Sequence, residues 1–408
     1  MNITIHRGTD QIGGCITEYE QDGWKLFVDY GEQLPGSKHE GEPIEVEGLT
    51  KRYTDKSALF ITHYHGDHIG RISELPNELP IYIGSKALET YTKLQHRLSY
   101  IKGDTGEKAK ATVNRLQRAI TFQPEQTINF GPFTITAHHS DHSAFDAFSF
   151  EIESASGNRV LHTGDFRAHG ENLPILSIKQ VDAIVCEATN ISRDMASLPE
   201  CLITKRFEEE FKRNKNNFVF ASSTNIQRIF NICQAAYNAN KIVIMDEYQY
   251  DILKTALGET YKLNAHPFIL KIHRHSSKPQ FFVPHKLNKL MRWKGFVLFA
   301  RSTKQYLQIM DGVSECTKYL SMWKGYTNAH EAAYNQKLSD ALGYNFEYIH
   351  TSGHDDNETL KQLFNNIKHK VIIPMHTDDP ELFSRIFSKY SWNVKFLIDK
   401  ETLNLNDL

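Results

Sequence analysis

The stretch "ALFITHYHGDHIG", residues 58 to 70, sets His63, His65, Asp67 and His68 directly behind a short apolar run. Imidazole nitrogens and carboxylate oxygens are the atoms zinc takes as ligands. On extended backbone alternate residues share a face, so His63 and His65 can meet one ion. Gly66 then permits a sharp turn, which swings Asp67 and His68 toward a second ion. Histidines on a polar surface loop are the plain alternative. The HxHxDH spacing, placed between an apolar run and a glycine, favours a ligand cluster.

A pair of ions needs about six converging donors. "HHSDHSAFDAFSFEI" supplies His138, His139 and His142, "VLHTGDFRAHG" supplies Asp165 in a turn after a strand, and "KVIIPMHT" ends on His376. Each of these alone is more often a satisfied core or loop residue. Together they close successive apolar strands, and ligand sites of open α/β sheets gather at strand carboxyl ends. A single carboxylate at Asp165 could bridge two ions.

The elements that must position these groups are legible in outline. "NITIHRG", "WKLFVDYG", "SALFITH", "PIYIGS", "FTITAHH" and "NRVLHTGDF" read as short strands ending on Gly, His or Asp. A basic, helix-like segment fills about residues 85 to 120. From residue 200, strands alternate with helices of ten or more residues, which predicts a parallel sheet with crossovers. The expected division is therefore 1–199, a separate α/β unit at 200–335, and a return to the first style over 336–408.

The chain has 408 residues, 40% of them hydrophobic, which is enough for two or three domains of roughly 150 residues each. No run of about 18 apolar residues predicts a transmembrane helix, and "MNITIHRGTDQIGG" lacks the pattern of a signal peptide. Five scattered cysteines, never in CxxC, favour a reducing, cytoplasmic setting over a disulfide framework.

Net charge is −2, less basic than a protein that holds nucleic acid by bulk charge alone, and this hints at a narrow substrate. The charge is uneven, however. Residues 261–310 carry no Asp or Glu, and their Lys and Arg residues interleave with Phe268, Phe281, Phe282, Trp293 and Phe296. A solvated face is one reading of that window and a track for a single-stranded polyanion is the other. In "FASSTNIQRI" a strand runs into Ser222, Ser223 and Thr224 and then a helix carrying Arg228. Hydroxyls there either cap the helix or, with its N–H groups, receive a phosphate.

HxHxDH, a lone histidine, a TGDF-type aspartate and a late histidine together resemble the metallo-β-lactamase superfamily. "CEATN" with Glu187, "HTSGH" with His354 and "IPMHT" with His376 are similar to the β-CASP branch, which contains ribonuclease J. "SMWKGYTNAHE" resembles a segment of its short bacterial and archaeal members. The resemblance spans nearly the whole chain. It implies an α/β fold, a metallo-β-lactamase αββα sandwich with an inserted β-CASP domain at 200–335.

The same resemblance implies a ligand set. His63, His65 and His142 would hold one zinc ion and Asp67, His68 and His376 a second, bridged by Asp165, with manganese as a possible substitute. Asp67 would also orient the attacking water. His354 would contact phosphate or protonate the leaving oxygen, and Glu187 would orient it. Ser222, Ser223, Thr224, Arg228, Arg301 and Lys304 would meet the nucleic-acid backbone.

The implied activity is hydrolysis of phosphodiester bonds in single-stranded RNA, in a cleft between the two domains. A DNA nuclease and a small-molecule ester, thioester or lactone hydrolase are the alternatives. Two features depart from the pattern. The sequence ends at 408, without room for the C-terminal extension of ribonuclease J, which leaves monomer or homodimer open. "FARSTKQY" stands where a glycine-rich loop is expected.

Overall fold

Side chains that alternate along each strand decide which layer they enter. The structure, a computed structural model, describes residues 1–37, 40–170, 176, 178–193, 196–258, 267–270, 285–328 and 333–408. The chain divides into two units, Met1–Ser197 with Gly353–Leu408, and Leu198–Ser352.

The first unit holds two sheets. A seven-stranded sheet runs in the order Thr402–Asn404, Asn2–Arg7, Ile16–Gln21, Trp24–Val28, Ser57–Phe60, Ile81–Gly84, Ile120–Phe122. A six-stranded sheet runs Val371–Met375, Ala183–Glu187, Arg159–His162, Ala147–Ser154, Phe133–Ser140, Thr127–Phe130. Ile3, Ile5, Ala58 and Phe60 of the first sheet pack with Ile135, Phe150, Val160, Val185 and Ile373 of the second, so a core lies between the sheets.

The intervening residues face the other way. Leu59, Ile61, Ile81 and Ile83 pack on Ala87 and Tyr91 of helix Ser85–Leu98 and on Leu116 of helix Asp104–Leu116. Ile184, Cys186 and Ile372 pack on Leu360, Leu363 and Phe364 of helix Asn357–Asn366 and on Phe383 and Phe387 of helix Pro380–Phe387. This is the αββα layering that the resemblance implies. Pro374 lies in the strand at one end of the second sheet, where a missing N–H costs least.

The second unit is built on a six-stranded sheet, ordered Phe268–Leu270, Ile242–Asp246, Phe296–Phe299, Asn216–Ala221, Thr317–Ser321, Glu347–Tyr348, with every pair parallel. Its apolar strands pack on Tyr306, Met310, Leu338 and Leu342. The unit reaches Ser352 rather than 335, because the two-residue strand Glu347–Tyr348 pairs with Thr317–Ser321 and extends this sheet. Among the described residues no helix is long and apolar enough to cross a membrane.

Candidate metal centre

Strand Ser57–Phe60 ends before the motif begins, so His63 to His65 lie beyond the sheet rather than in a strand. The alternation still holds. Tyr64 turns into the core, where its hydroxyl accepts from Phe145 N at 2.8 Å, and His63 and His65 face the other way. A single helical turn, Gly66–Ile69, then carries Asp67 and His68. The segment after strand Trp24–Val28 clamps that turn, with Tyr30 N donating to His68 O at 2.8 Å and Glu32 N to Gly66 O at 2.9 Å. Gly31 is required there, since a Cβ would lie 1.6 Å from Asp67 O.

Among the described residues four groups of ligand atoms result, each group with its atoms within 4.8 Å of one another: His63, His65, His142; Asp67, His68, His376; His63, His68, Asp165; and Asp165, Glu187, His354, His376. The seven side chains that the sequence nominated as ligands therefore converge. Of the three candidate histidines in "HHSDH", His142 joins them. Both ring nitrogens of His138 are taken by Glu125 and Glu151, at 2.8 and 3.1 Å, and His139 lies against the ring of Phe148 at 5.5 Å.

Hydrogen bonds select which ring nitrogen faces inward. A carboxylate or carbonyl oxygen can only accept. His68 Nδ1 therefore donates to Asp29 Oδ2 at 2.7 Å, and His142 Nδ1 donates to Gly353 O at 2.6 Å. Thr62 Oγ1 spends its proton on Asp29 Oδ2 at 2.7 Å, so it accepts from His63 Nδ1 at 3.0 Å. His376 Nδ1 meets Thr189 Oγ1 at 2.7 Å. Each of these rings presents Nε2 to the centre, the arrangement in which an outer partner fixes the tautomer of a ligand. His376 is held at φ 52°, a backbone state rare for a residue with a side chain, and its N–H is tied to Gly8 O at 2.7 Å.

Asp29 and Thr189 were not nominated from sequence. The signal for Asp29 was present: it ends the apolar strand of "WKLFVDYG", as the ligands end theirs. Asp29→Asn is expected to weaken divalent-metal affinity about 10- to 100-fold while the fold persists, because His68 loses its anionic anchor. Competition for zinc against a chromophoric chelator measures this, and parent-like affinity would count against the role.

The electrostatics suit a cation. Burial holds His63 and His142 well below the usual imidazole range, and His65 down to about 4, so all three stay uncharged. Burial also works against charge on His68, but Asp165, Asp29 and Asp67 outweigh it and raise its pKa. Burial disfavours the Asp67 carboxylate too, yet His68 and His376 hold that group well below its ordinary range.

His63 Nε2 and Asp165 Oδ1 are buried without a hydrogen-bond partner among the described residues, and His68 Nε2 and Asp165 Oδ2, 3.1 Å apart, have only each other. Orphaned buried donors and acceptors are costly and rare, and all of these point into one cluster of nitrogen and oxygen ligands. The residues thus fit a divalent metal.

Beside the cluster, Glu187 accepts from Phe166 N at 2.8 Å, which ties it to the Asp165 turn, and pairs with His354 Nδ1 at 2.9 Å. His354 Nδ1 also lies 3.6 Å from Asp165 Oδ2. Burial lowers the His354 pKa, but Glu187 and Asp165 prevail and push it up to about 9. Its side chain remains 24% exposed. Asp356 caps helix Asn357–Asn366 by accepting from Thr359 N, which fixes the chain two residues beyond His354.

The expected nucleic-acid contacts divide. Ser222 is exposed, with its hydroxyl 3.1 Å from Thr224 Oγ1, and Lys304 is exposed at the start of helix Lys304–Asp311. Ser223 Oγ accepts from Arg301 Nη1 at 2.8 Å. Asn225, not a serine or threonine, caps helix Ile226–Asn238. Arg228 is a correction. It is fully buried, with Nη2 and Nε on Glu200 at 2.7 and 3.0 Å and Nη1 on Ser321 at 2.7 Å, so its guanidinium is committed inside the unit and cannot meet phosphate. Of the acid-free window, 261–266 and 271–284 lie outside the described residues. Within the remainder, Phe296 is core and Trp293 is 74% exposed.

Residues 38–204 match the Beta-lactamase superfamily domain. Ribonuclease J of Helicobacter pylori is 24% identical over 405 residues, covering 92% of this chain and 56% of that protein. Ribonuclease J of Mycoplasma pneumoniae is 25% identical over 251 residues, covering 58% of this chain and 42% of that protein. The chain thus spans about half the length of the curated relatives it matches. A crystal structure of a protein of unknown function from Enterococcus faecalis superposes with a TM-score of 0.76 at 17% identity, over 98% of this chain and 99% of that one, which speaks to the fold alone. A ligand cluster at strand ends, αββα layers and these matches lead to one conclusion: residues 38–204 carry the Beta-lactamase superfamily domain, and the chain is similar to ribonuclease J over most of its length.

Proposed function

We propose that this chain is a di-zinc ribonuclease that hydrolyses phosphodiester bonds of single-stranded RNA. The observation that carries the reading is the convergence of His63, His65, Asp67, His68, His142, Asp165 and His376, with His63 Nε2 and Asp165 Oδ1 buried and without a hydrogen-bond partner among the described residues. Similarity to proteins named ribonuclease J supports RNA as the substrate.

His63, His65 and His142 would hold one ion and Asp67, His68 and His376 the other, with Asp165 reaching both. When bound, such ions neutralise phosphoryl oxygens and lower the pKa of water. The chain's own groups do the rest. Asp67, 3.4 Å from His376 Nε2, would orient the attacking water. His354, kept protonated by Glu187 and partly exposed, can donate a hydrogen bond to phosphate or a proton to the leaving oxygen. Glu187 holds that ring in place. The insert reads as the β-CASP domain, where Ser222, Ser223, Thr224, Arg301 and Lys304 would meet the RNA backbone.

The test offers the purified chain 5′- and 3′-labelled single-stranded RNA and DNA beside an ester substrate, with bound metal quantified. RNA cleavage that ceases on chelation and returns with zinc is the expected result. Cleavage of the ester alone would remove the nuclease reading, and preference for DNA would move it to another substrate.

A further inference from the structure

We infer that the insert carries a base-stacking platform for single-stranded RNA, built from Trp323, Tyr326 and Tyr334. The inference rests on the reading of this chain as a ribonuclease. These three rings are 49%, 43% and 51% exposed, high for large aromatics. They are in contact: Trp323 meets Tyr326 edge-on at 5.5 Å, and Tyr326 meets Tyr334 edge-on at 6.3 Å. The indole is seated by backbone, since a Cβ on Gly325 would lie 2.2 Å from its ring. A ring held in this way loses little freedom when a base covers its outer face.

Topology puts the rings where α/β sheets take ligands. Strands Asn216–Ala221 and Thr317–Ser321 are neighbours, and the chain leaves them in opposite directions, toward Ile242–Asp246 and toward Glu347–Tyr348. Strands Ile242–Asp246 and Phe296–Phe299 are a second such pair, and crevices at these switch points are the usual binding places. Trp323 follows the carboxyl end of Thr317–Ser321 directly.

Arg301, past the end of Phe296–Phe299, lies over the Tyr248 ring at 5.1 Å. Asp246 grips that guanidinium at 2.6 and 3.1 Å, so the nearby carboxylate is neutralised. Lys324 sits 5.9 Å over Tyr348. Lys324, next in sequence to Trp323, thus sets a cation at the same carboxyl edge, while the Arg301 charge is shared with Asp246. An apolar peptide would be better served by aliphatic side chains. Bases threaded between phosphates call for exposed rings with a cation beside them.

Binding of a labelled RNA decamer tests the inference in the full chain carrying Asp67→Ala, which blocks cleavage. An abasic decamer, with the same phosphates and no bases, serves as the second ligand. Trp323→Ala and Tyr334→Ala should each raise the Kd for RNA about 10-fold, leave the abasic Kd at its starting value, and keep the circular dichroism spectrum. Trp323→Phe should recover most of the affinity. An unchanged RNA Kd, or equal weakening for both ligands, overturns the platform while RNA binding itself leaves the ribonuclease reading standing. A chain that binds no RNA before substitution overturns both.

Discussion

Asp165→Ala should abolish metal binding at physiological zinc and lower RNA cleavage on the order of 10³-fold, well beyond the roughly 10- to 100-fold expected for loss of an outer partner. Asp165 is the carboxylate common to the groups it shares with His63 and His68 and with Glu187, His354 and His376. It lies 3.1 Å from His68 Nε2 and 3.8 Å from both His63 Nε2 and His376 Nδ1. Removing it leaves Asp67 as the one carboxylate among the nominated ligands. Elemental analysis of the purified variant, beside a labelled-RNA assay, checks both halves. Full metal content with parental cleavage would dismantle the assignment of the centre.

His354→Ala makes the complementary case. Metal content should stay near parental, because the seven nominated ligands are untouched, while kcat falls about 10²- to 10⁴-fold, the range for loss of a positioned general acid. Glu187→Gln should lower kcat in the same direction but less. It keeps a hydrogen-bond acceptor 2.9 Å from His354 Nδ1 and removes the negative charge that favours the ring's protonation. Full loss of metal in His354→Ala would instead make this ring a ligand, which its presence in one group with Asp165 and His376 makes worth measuring.

Arg228 shows why charge alone misleads. A cation after "SSTN" fits a phosphate loop as well as an internal pair, and only the position of Glu200, 28 residues upstream, separates the two. A buried guanidinium without such a partner would be very costly, so the pair is a requirement of the packed unit rather than a route to substrate.

Local pattern determined a good deal by itself. HxHxDH behind an apolar strand is contained in one short segment, so its meaning survives without the rest of the chain. Alternation along "SALFITH" and "KVIIPMHT", and helices of ten or more residues after residue 200, likewise express interactions between near neighbours in sequence. The tertiary structure decided what depends on register between distant strands. Pairing of Glu187 with Met375 brings His376 beside Thr189 and Asp165. The contact of His142 with Gly353 O separates it from His138 and His139. Asp29 becomes the anchor of His68 only when its strand lies beside Ser57–Phe60. Spacing along a chain cannot carry such information, because a ligand's outer partners are chosen by which strand ends become neighbours, and that is an outcome of packing the whole sheet.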